Sequence, residues 1–210
     1  MRNKRPERDI VLQKYDEMAS EYDQRWSFYV GATVRETIRR LPTKGVCSVL
    51  DVGCGTGALL EKVHSRYPDA RLFGVDLSPK MLEVAQGKLG RSVELRASRA
   101  ESLPFEDESV DVVVSTNVFH FLREPKKCLG EFSRVLKSGG TVVITDWCDD
   151  YFACRVWDFL LRCFDSAHFH TYGSRECQRL LQESLFGSPR VERYKINWFW
   201  GLMTAVGRKR

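Results

Sequence analysis

No apolar run in these 210 residues approaches the ~20 that a helix needs to cross a bilayer, so any membrane contact is expected to be peripheral. No charged-then-apolar leader precedes the first patterned segment. The seven cysteines are odd in number and scattered, which points to reduced thiols in a cytoplasm rather than a disulfide framework. None of them forms a Cys-x-x-Cys pair. Cys148, Cys154, Cys163, His168, His170 and Cys177 therefore lack the spacing of structural zinc, and no metal is expected. Repeats and low-complexity tracts are absent as well. The net charge of +5 comes partly from the ends, with Arg2, Lys4, Arg5 and Arg8 at one and Arg208, Lys209 and Arg210 at the other. No stretch gathers cations and stacking aromatics on one face, which argues against nucleic acid as substrate.

What is present is ordinary globular material, 43% hydrophobic and 29% charged, in a length that suits one domain. Helical spacing of Ile10, Leu12, Tyr15, Met18, Ala19 and Tyr22 predicts a first helix, and a second is expected over 28–41, ending before Pro42. Then the texture changes. Short β-rich runs at 46–52, 71–75, 93–96, 110–115 and 141–146 alternate with helical stretches at 57–67, 79–89 and 125–136. Val110, Val112, Val113 and Val114, like Val142, Val143 and Ile144, lack polar alternation, as strands covered on both faces do. The pattern predicts a doubly wound, mostly parallel α/β sheet. A last helix over 174–185 and two strands, 191–198 and 202–207 joined at Gly201, suggest an antiparallel C-terminal hairpin.

The most informative residues are Asp51, Val52, Gly53, Cys54, Gly55, Thr56 and Gly57, where the first strand turns into a helix. Glycines there let backbone N–H groups approach a ligand at the carboxyl edge of the sheet. The turn by itself fits two cofactors. Gly53, Gly55 and Ala58 satisfy the relaxed dinucleotide pattern, and Asp76 stands where a ribose-binding acid belongs, so an NAD(P)-dependent oxidoreductase is the rival reading. Asp51 weighs against it, because a carboxylate just before the glycines repels pyrophosphate and suits a cationic amino-acid ligand.

A longer ordered string weighs further. YDEMASEYD at Tyr15–Asp23, VLDVGCGTG at Val49–Gly57, GVDLSPKML at Gly74–Leu82, AESLPFEDESVDVVVS at Ala100–Ser115 and LKSGGTVVITD at Leu136–Asp146 together resemble the ubiquinone and menaquinone biosynthesis type of class I S-adenosylmethionine-dependent methyltransferase. The resemblance implies a Rossmann-like fold with a seven-stranded sheet and an antiparallel C-terminal strand. It also implies methyl transfer from S-adenosylmethionine to a small molecule. The chain then divides into an N-terminal helical cap (1–42), a cofactor-binding core (43–146), a substrate-covering insertion (147–173) and a C-terminal helix and hairpin (174–210) of one methyltransferase domain.

By the same resemblance Asp51, Gly53, Cys54 and Gly55 line the methionine end of the cofactor. Asp76 takes both ribose hydroxyls, and Leu77 and Met81 cover adenine. Where the family reads Gly-Asp-Ala-Glu, this chain has Ser98, Arg99, Ala100 and Glu101. Arginine has no acceptor, so Ala100 or Glu101 is expected to serve adenine in its place. A noncatalytic cofactor-binding relative is the reading this departure leaves beside an enzyme. Asn117 edges the reacting centre, and the run Ser115–His120 is unlike the Asn-Pro-Pro-Tyr loop of nucleobase amine methylation. His120 matches a position that is often histidine and is the candidate base, with a structural histidine as the alternative.

Tyr15, Tyr22 and Trp26 belong to the segment that folds over the cofactor in the family, where their rings would face the sulfonium. In the insertion Phe152, Val156, Phe159, Leu160, Cys163 and Phe164 form a helical apolar stripe, with Arg155, Asp158, Arg162 and Asp165 opposite. It reads as a cover helix with its stripe turned inward, over substrate or sheet. Trp26, Trp147, His168 and His170 are the substrate-side candidates, for an acceptor that is apolar or aromatic in part.

Overall fold

The computed structural model describes residues 7–164 and 168–210. Arg2, Lys4, Arg5 and the helix position given to Asp165 lie outside them, as do the side chains of Glu7, Arg8, Asp9 and Phe164. The chain runs α1 (Glu7–Met18), α2 (Tyr22–Arg40), β1 (Ser48–Val52), α3 (Ala58–Arg66), β2 (Arg71–Asp76), α4 (Pro79–Leu89), β3 (Val93–Ala97) and β4 (Val110–Thr116). It continues through a 3-10 turn (Phe119–Phe121), α5 (Pro125–Val135), β5 (Leu136–Trp147), α6 (Phe152–Phe164), α7 (Ser174–Glu183), β6 (Phe186–Lys195) and β7 (Gly201–Lys209).

The seven strands form one sheet in the order β3-β2-β1-β4-β5-β7-β6. β1 to β5 are parallel, and β7 runs antiparallel between β5 and β6. Successive side chains on a strand point to opposite faces, and β1 shows the result. Val49 joins Leu60, Val63, Leu72 and Val143 in one core, while Leu50 joins Leu129, Phe132, Leu136 and Ile144 in the other. Between β1 and β4 the strand order reverses direction, and a crevice opens at the carboxyl ends of the strands.

The expected elements are present with shifted bounds. α2 begins at Tyr22, six residues before the expected start, so the two N-terminal helices are separated by only three residues. β5 and β6 start five residues earlier than their hydrophobic runs. The extra residues of β5 include Gly139 and Gly140, which carry no apolar signal, while Leu136 pairs with Val110 across a register shift. α4 matches to the residue because its start is chemically marked: the Ser78 hydroxyl accepts from the Met81 N–H at 3.1 Å, with Pro79 in the first turn.

The largest correction concerns α6. Cys154, Asp158 and Leu161, spaced i, i+4, i+7, face the protein, while Phe152, Val156, Phe159, Leu160 and Cys163 face solvent. The expected stripe is there, turned outward. Asp158 decides the rotation. Its carboxylate accepts from the Thr171 N–H at 2.8 Å, lies 2.7 Å from His168 Nε2 and pairs with Arg162 at 2.8 Å. A carboxylate so surrounded is held below its usual range against the opposing cost of burial. No helix among the described residues is long and apolar enough to cross a membrane.

Candidate active site

A cavity sits at the crevice where the strand order reverses. Its floor is Gly53 and Gly55 of the first turn, with Asp76 at the end of β2 and Leu77 and Met81 after it. Tyr15 and Tyr22 reach over it from α1 and α2, Ser98 to Glu101 form one wall, and Thr116, Asn117, Val118 and Phe121 form the other.

The turn has this shape because its backbone requires glycine. Gly53 has φ +77°, and a Cβ there would stand 2.2 Å from Val118 Cγ2. Its N–H and that of Cys54 are both taken by the Val75 carbonyl, at 2.8 and 2.9 Å, which welds the turn to β2. Asp76 is fixed from both sides. One carboxylate oxygen accepts from the Gly55 N–H at 2.8 Å and the other from the Ser78 N–H at 2.9 Å. A carboxylate has about four lone-pair sites, so these contacts leave acceptor capacity for a ligand. Burial raises the Asp76 carboxyl, and the backbone N–H donors from Ser78, Gly55 and Leu77 oppose that rise.

Asp51 lies beneath the turn, 2% exposed, with Oδ1 accepting no hydrogen bond from any described residue. Burial, then the charge of Asp76, pushes its carboxyl up to about 8. The Asp76 carboxylate therefore supplies the negative charge of the cavity floor, which favours a cation and disfavours phosphate, while Asp51 beneath it keeps its proton until about pH 8. The side chain of Asp51 stops short of the cavity wall, and that of Cys54 turns away into the core beside Leu60. Among the expected cofactor residues, those two do not line the cavity. Tyr15, Tyr22, Gly53, Gly55, Asp76, Leu77, Met81, Ala100, Glu101 and Asn117 all line the cavity.

The roof is tied down by polar contacts. Asp16 of α1 accepts from the Ser78 hydroxyl, and Asp23 of α2 accepts from Thr56 and Lys88. Asn117 has φ +62°, an unusual conformation for a non-glycine residue. Its carbonyl oxygen accepts from the Tyr29 hydroxyl at 2.8 Å, and its amide donates to Thr33 Oγ1 at 3.0 Å, so one side chain at the end of β4 anchors α2. Burial pushes the Tyr22 phenol up to about 12 and also raises that of Tyr29, so both stay neutral donors.

Behind the Asn117 wall lies an aromatic layer. His120 lies against Trp147, ring centres 5.1 Å apart and planes within 10°, while Trp147 touches Tyr29 and Trp200. Asp146 grips His120 twice, accepting from its backbone N–H at 3.0 Å and lying 2.7 Å from Nδ1. With Asp146 ionised, Nδ1 carries the proton and Nε2 is left as an acceptor. The substrate-side candidates Trp26, Trp147, His168 and His170 belong to this layer and its margin rather than to the cavity wall. His168 is held by Asp158 of α6, and His170 stands between Arg162 and Glu176. Phe121, Leu122 and Arg123 line the cavity without having been expected. No motif marks them; the 3-10 turn folds them back beside Asn117.

The family model described as a methyltransferase domain matches residues 50–144, from β1 through most of β5. The match covers somewhat less than half of the chain and is a similarity to that family over these residues. A ubiquinone/menaquinone biosynthesis C-methyltransferase of Syntrophotalea carbinolica is 35% identical over 151 residues, covering 68% of this chain and 60% of that protein. A malonyl-[acyl-carrier protein] O-methyltransferase of Hahella chejuensis is 40% identical over 96 residues, 45% of this chain and 34% of that protein. The chain thus spans between about a third and three fifths of these relatives. Among solved structures, a SAM-dependent methyltransferase of Thermotoga maritima, described as a possible histamine N-methyltransferase, superposes with TM-score 0.79 at 20% identity, over 95% of this chain and all of that one. That likeness carries the fold. The methyl donor indicated for a methyltransferase domain of this kind is S-adenosylmethionine. The site chemistry fits a ligand with an ammonium group and a ribose, because an acceptor-rich carboxylate lies on the cavity floor and an unsatisfied acid lies beneath the turn.

Proposed function

We propose that this chain transfers a methyl group from S-adenosylmethionine to a small acceptor that is apolar or aromatic in part, acting as one methyltransferase domain in a cytoplasm. The observation that carries the reading is Asp76, set on the cavity floor by two backbone N–H groups with lone pairs to spare for a cis-diol. In this reading Leu77 and Met81 receive the adenine face, and Ala100 and Glu101 hold its edge. Asp51 answers the ammonium from below the turn, and Tyr15 and Tyr22 face the positive sulfur. The cofactor supplies a methyl group already activated on a sulfonium. The protein's share is alignment and exclusion of water, worth ~7 kcal/mol or more when the reacting atoms are held in near-attack geometry.

For an acceptor bearing a hydroxyl, His120 is the candidate base, its tautomer fixed by Asp146 so that Nε2 takes the proton. An enolate or thiolate acceptor needs no base. The names of the relatives, a ubiquinone/menaquinone biosynthesis C-methyltransferase and a malonyl-[acyl-carrier protein] O-methyltransferase, support a small-molecule acceptor. Seven free thiols suit a reducing compartment. Calorimetric titration with S-adenosylhomocysteine and, separately, with NADH tests the reading. Micromolar binding of the first alone is expected, and binding of NADH alone would return the turn to a dinucleotide. Turnover of a bound acceptor separates an enzyme from a noncatalytic relative.

A further inference from the structure

Soluble chains seldom leave large apolar side chains side by side in water, and α6 does so along its length. Phe152 is 81% exposed and Phe159 67%, with Val156 and Leu160 between and beside them. The tip joining β6 to β7 extends the same face. Trp198 is 84% exposed, and neighbouring Phe199 meets Trp157 of α6 edge to face at 5.8 Å. The tip is built to present that indole. Asn197 accepts from the N–H groups of both Phe199 and Trp200, and Ile196 pairs with Trp200 across the turn at 3.1 Å.

Cations flank this face, and the described acids beside it, Asp149, Asp150 and Asp158, are each paired with an arginine. The exposed ionisable side chains described on α6 and the tip are Arg155, Arg162 and Lys195. The one acid described on α6, Asp158, is buried against His168 and Arg162, and Asp149 at the foot of the helix is half-buried and pairs with Arg155 at 3.6 Å. A helix of 13 residues is ~20 Å long, too short to span a bilayer but suited to lie in its interface.

We propose that α6 and the β6–β7 tip dock this protein on an anionic lipid bilayer, with Phe152, Phe159 and Trp198 inserted and Arg155, Arg162 and Lys195 at the headgroups. Phenylalanine and tryptophan on one side with cations at the margin is the arrangement that partitions into such an interface. The docked face leads to the cavity. Arg162 of α6 bonds His170, whose backbone N–H donates to the His120 carbonyl at 3.1 Å, and Arg123 of the cavity wall lies over the Phe169 ring at 5.1 Å. Resting here on the proposed function, docking would set the cavity mouth beside the phase in which an apolar acceptor dissolves.

The test is co-sedimentation of the full chain with vesicles of phosphatidylcholine alone or mixed with phosphatidylglycerol, following tryptophan emission. Binding to the mixed vesicles with a blue shift is expected. It should weaken with salt and on neutral vesicles, and fall about tenfold or more in the variant Phe152→Ser/Phe159→Ser/Trp198→Ser. Absence of wild-type binding to the mixed vesicles, or equal binding by the variant, overturns the proposal. So does a dimer in light scattering that the same three substitutions dissolve, because a second copy would then cover the face. S-adenosylhomocysteine binding is read in parallel. Equal affinity in both proteins shows that the variant is folded, and its absence in both breaks the functional reading without touching the lipid result.

Discussion

α5 and α6 are helices of 11 and 13 residues, each with an apolar stripe, and they end in opposite environments. α5 buries Cys128, Leu129, Phe132 and Val135 against the sheet, while α6 holds Phe152 and Phe159 in solvent and turns Asp158 inward. Amphipathicity states that a helix has two faces. Which face is covered depends on what stands opposite, and a carboxylate met by a histidine, a backbone N–H and an arginine can outweigh a stripe with nothing to pack on. The difference lies in the surroundings, not in the strength of the pattern.

The comparison breaks if truncation costs the two helices alike. Phe132→Ala should destabilise the fold by about 3–5 kcal/mol, read by urea unfolding, because a fully buried ring leaves a cavity between sheet and helix. At the cofactor end, Asp76→Ala should cost about 3 kcal/mol of S-adenosylhomocysteine affinity, roughly a hundredfold, with the fold retained. Unchanged affinity would remove the ribose from that carboxylate. Asn117→Ala should cost about 1–2 kcal/mol of stability by releasing Tyr29 and Thr33, and a larger loss of ligand affinity than of stability would mark α2 as part of the cofactor's cover.

Asp51 gives a sign rather than a size. Its folded carboxyl is raised to about 8 from an ordinary 3.8, so the folded state holds a proton that the unfolded chain releases. Its contribution is full below pH ~4 and is lost as pH rises through ~8. Thermal melts from pH 5 to 9 should fall more steeply for the wild type than for Asp51→Asn, and S-adenosylhomocysteine should flatten the wild-type slope if its ammonium sits nearby. The smallest effect is expected on α6, where Phe159→Ser should change stability by less than about 0.5 kcal/mol. A loss near that of Phe132→Ala would mean that the stripe is covered in solution.

Much of the site was legible because its chemistry is short-range. Three glycines within five residues impose a turn, and Ser78 with Pro79 starts α4 wherever the rest of the chain goes. Gly53, Gly55, Asp76, Leu77 and Met81 therefore meet at one cavity, as their order along the chain suggested. Phe121, Leu122 and Arg123 were not legible, since a single 3-10 turn carries no periodicity. The direction of the Cys54 side chain was not legible either, because alternate residues of a tight turn point opposite ways, and its thiol faces the core.

The sequence by itself determined the alternation of strands and helices, the parallel sheet and the glycine turn, because backbone sterics and hydrophobic period act over a few residues. Tertiary structure alone decided that Asp51 Oδ1 is buried with no hydrogen bond from the described residues, that Asp146 grips His120 across 26 residues and that α6 turns its phenylalanines outward. Each of these depends on which groups from distant segments meet in a medium of low dielectric, where one satisfied carboxylate can set the rotation of a helix.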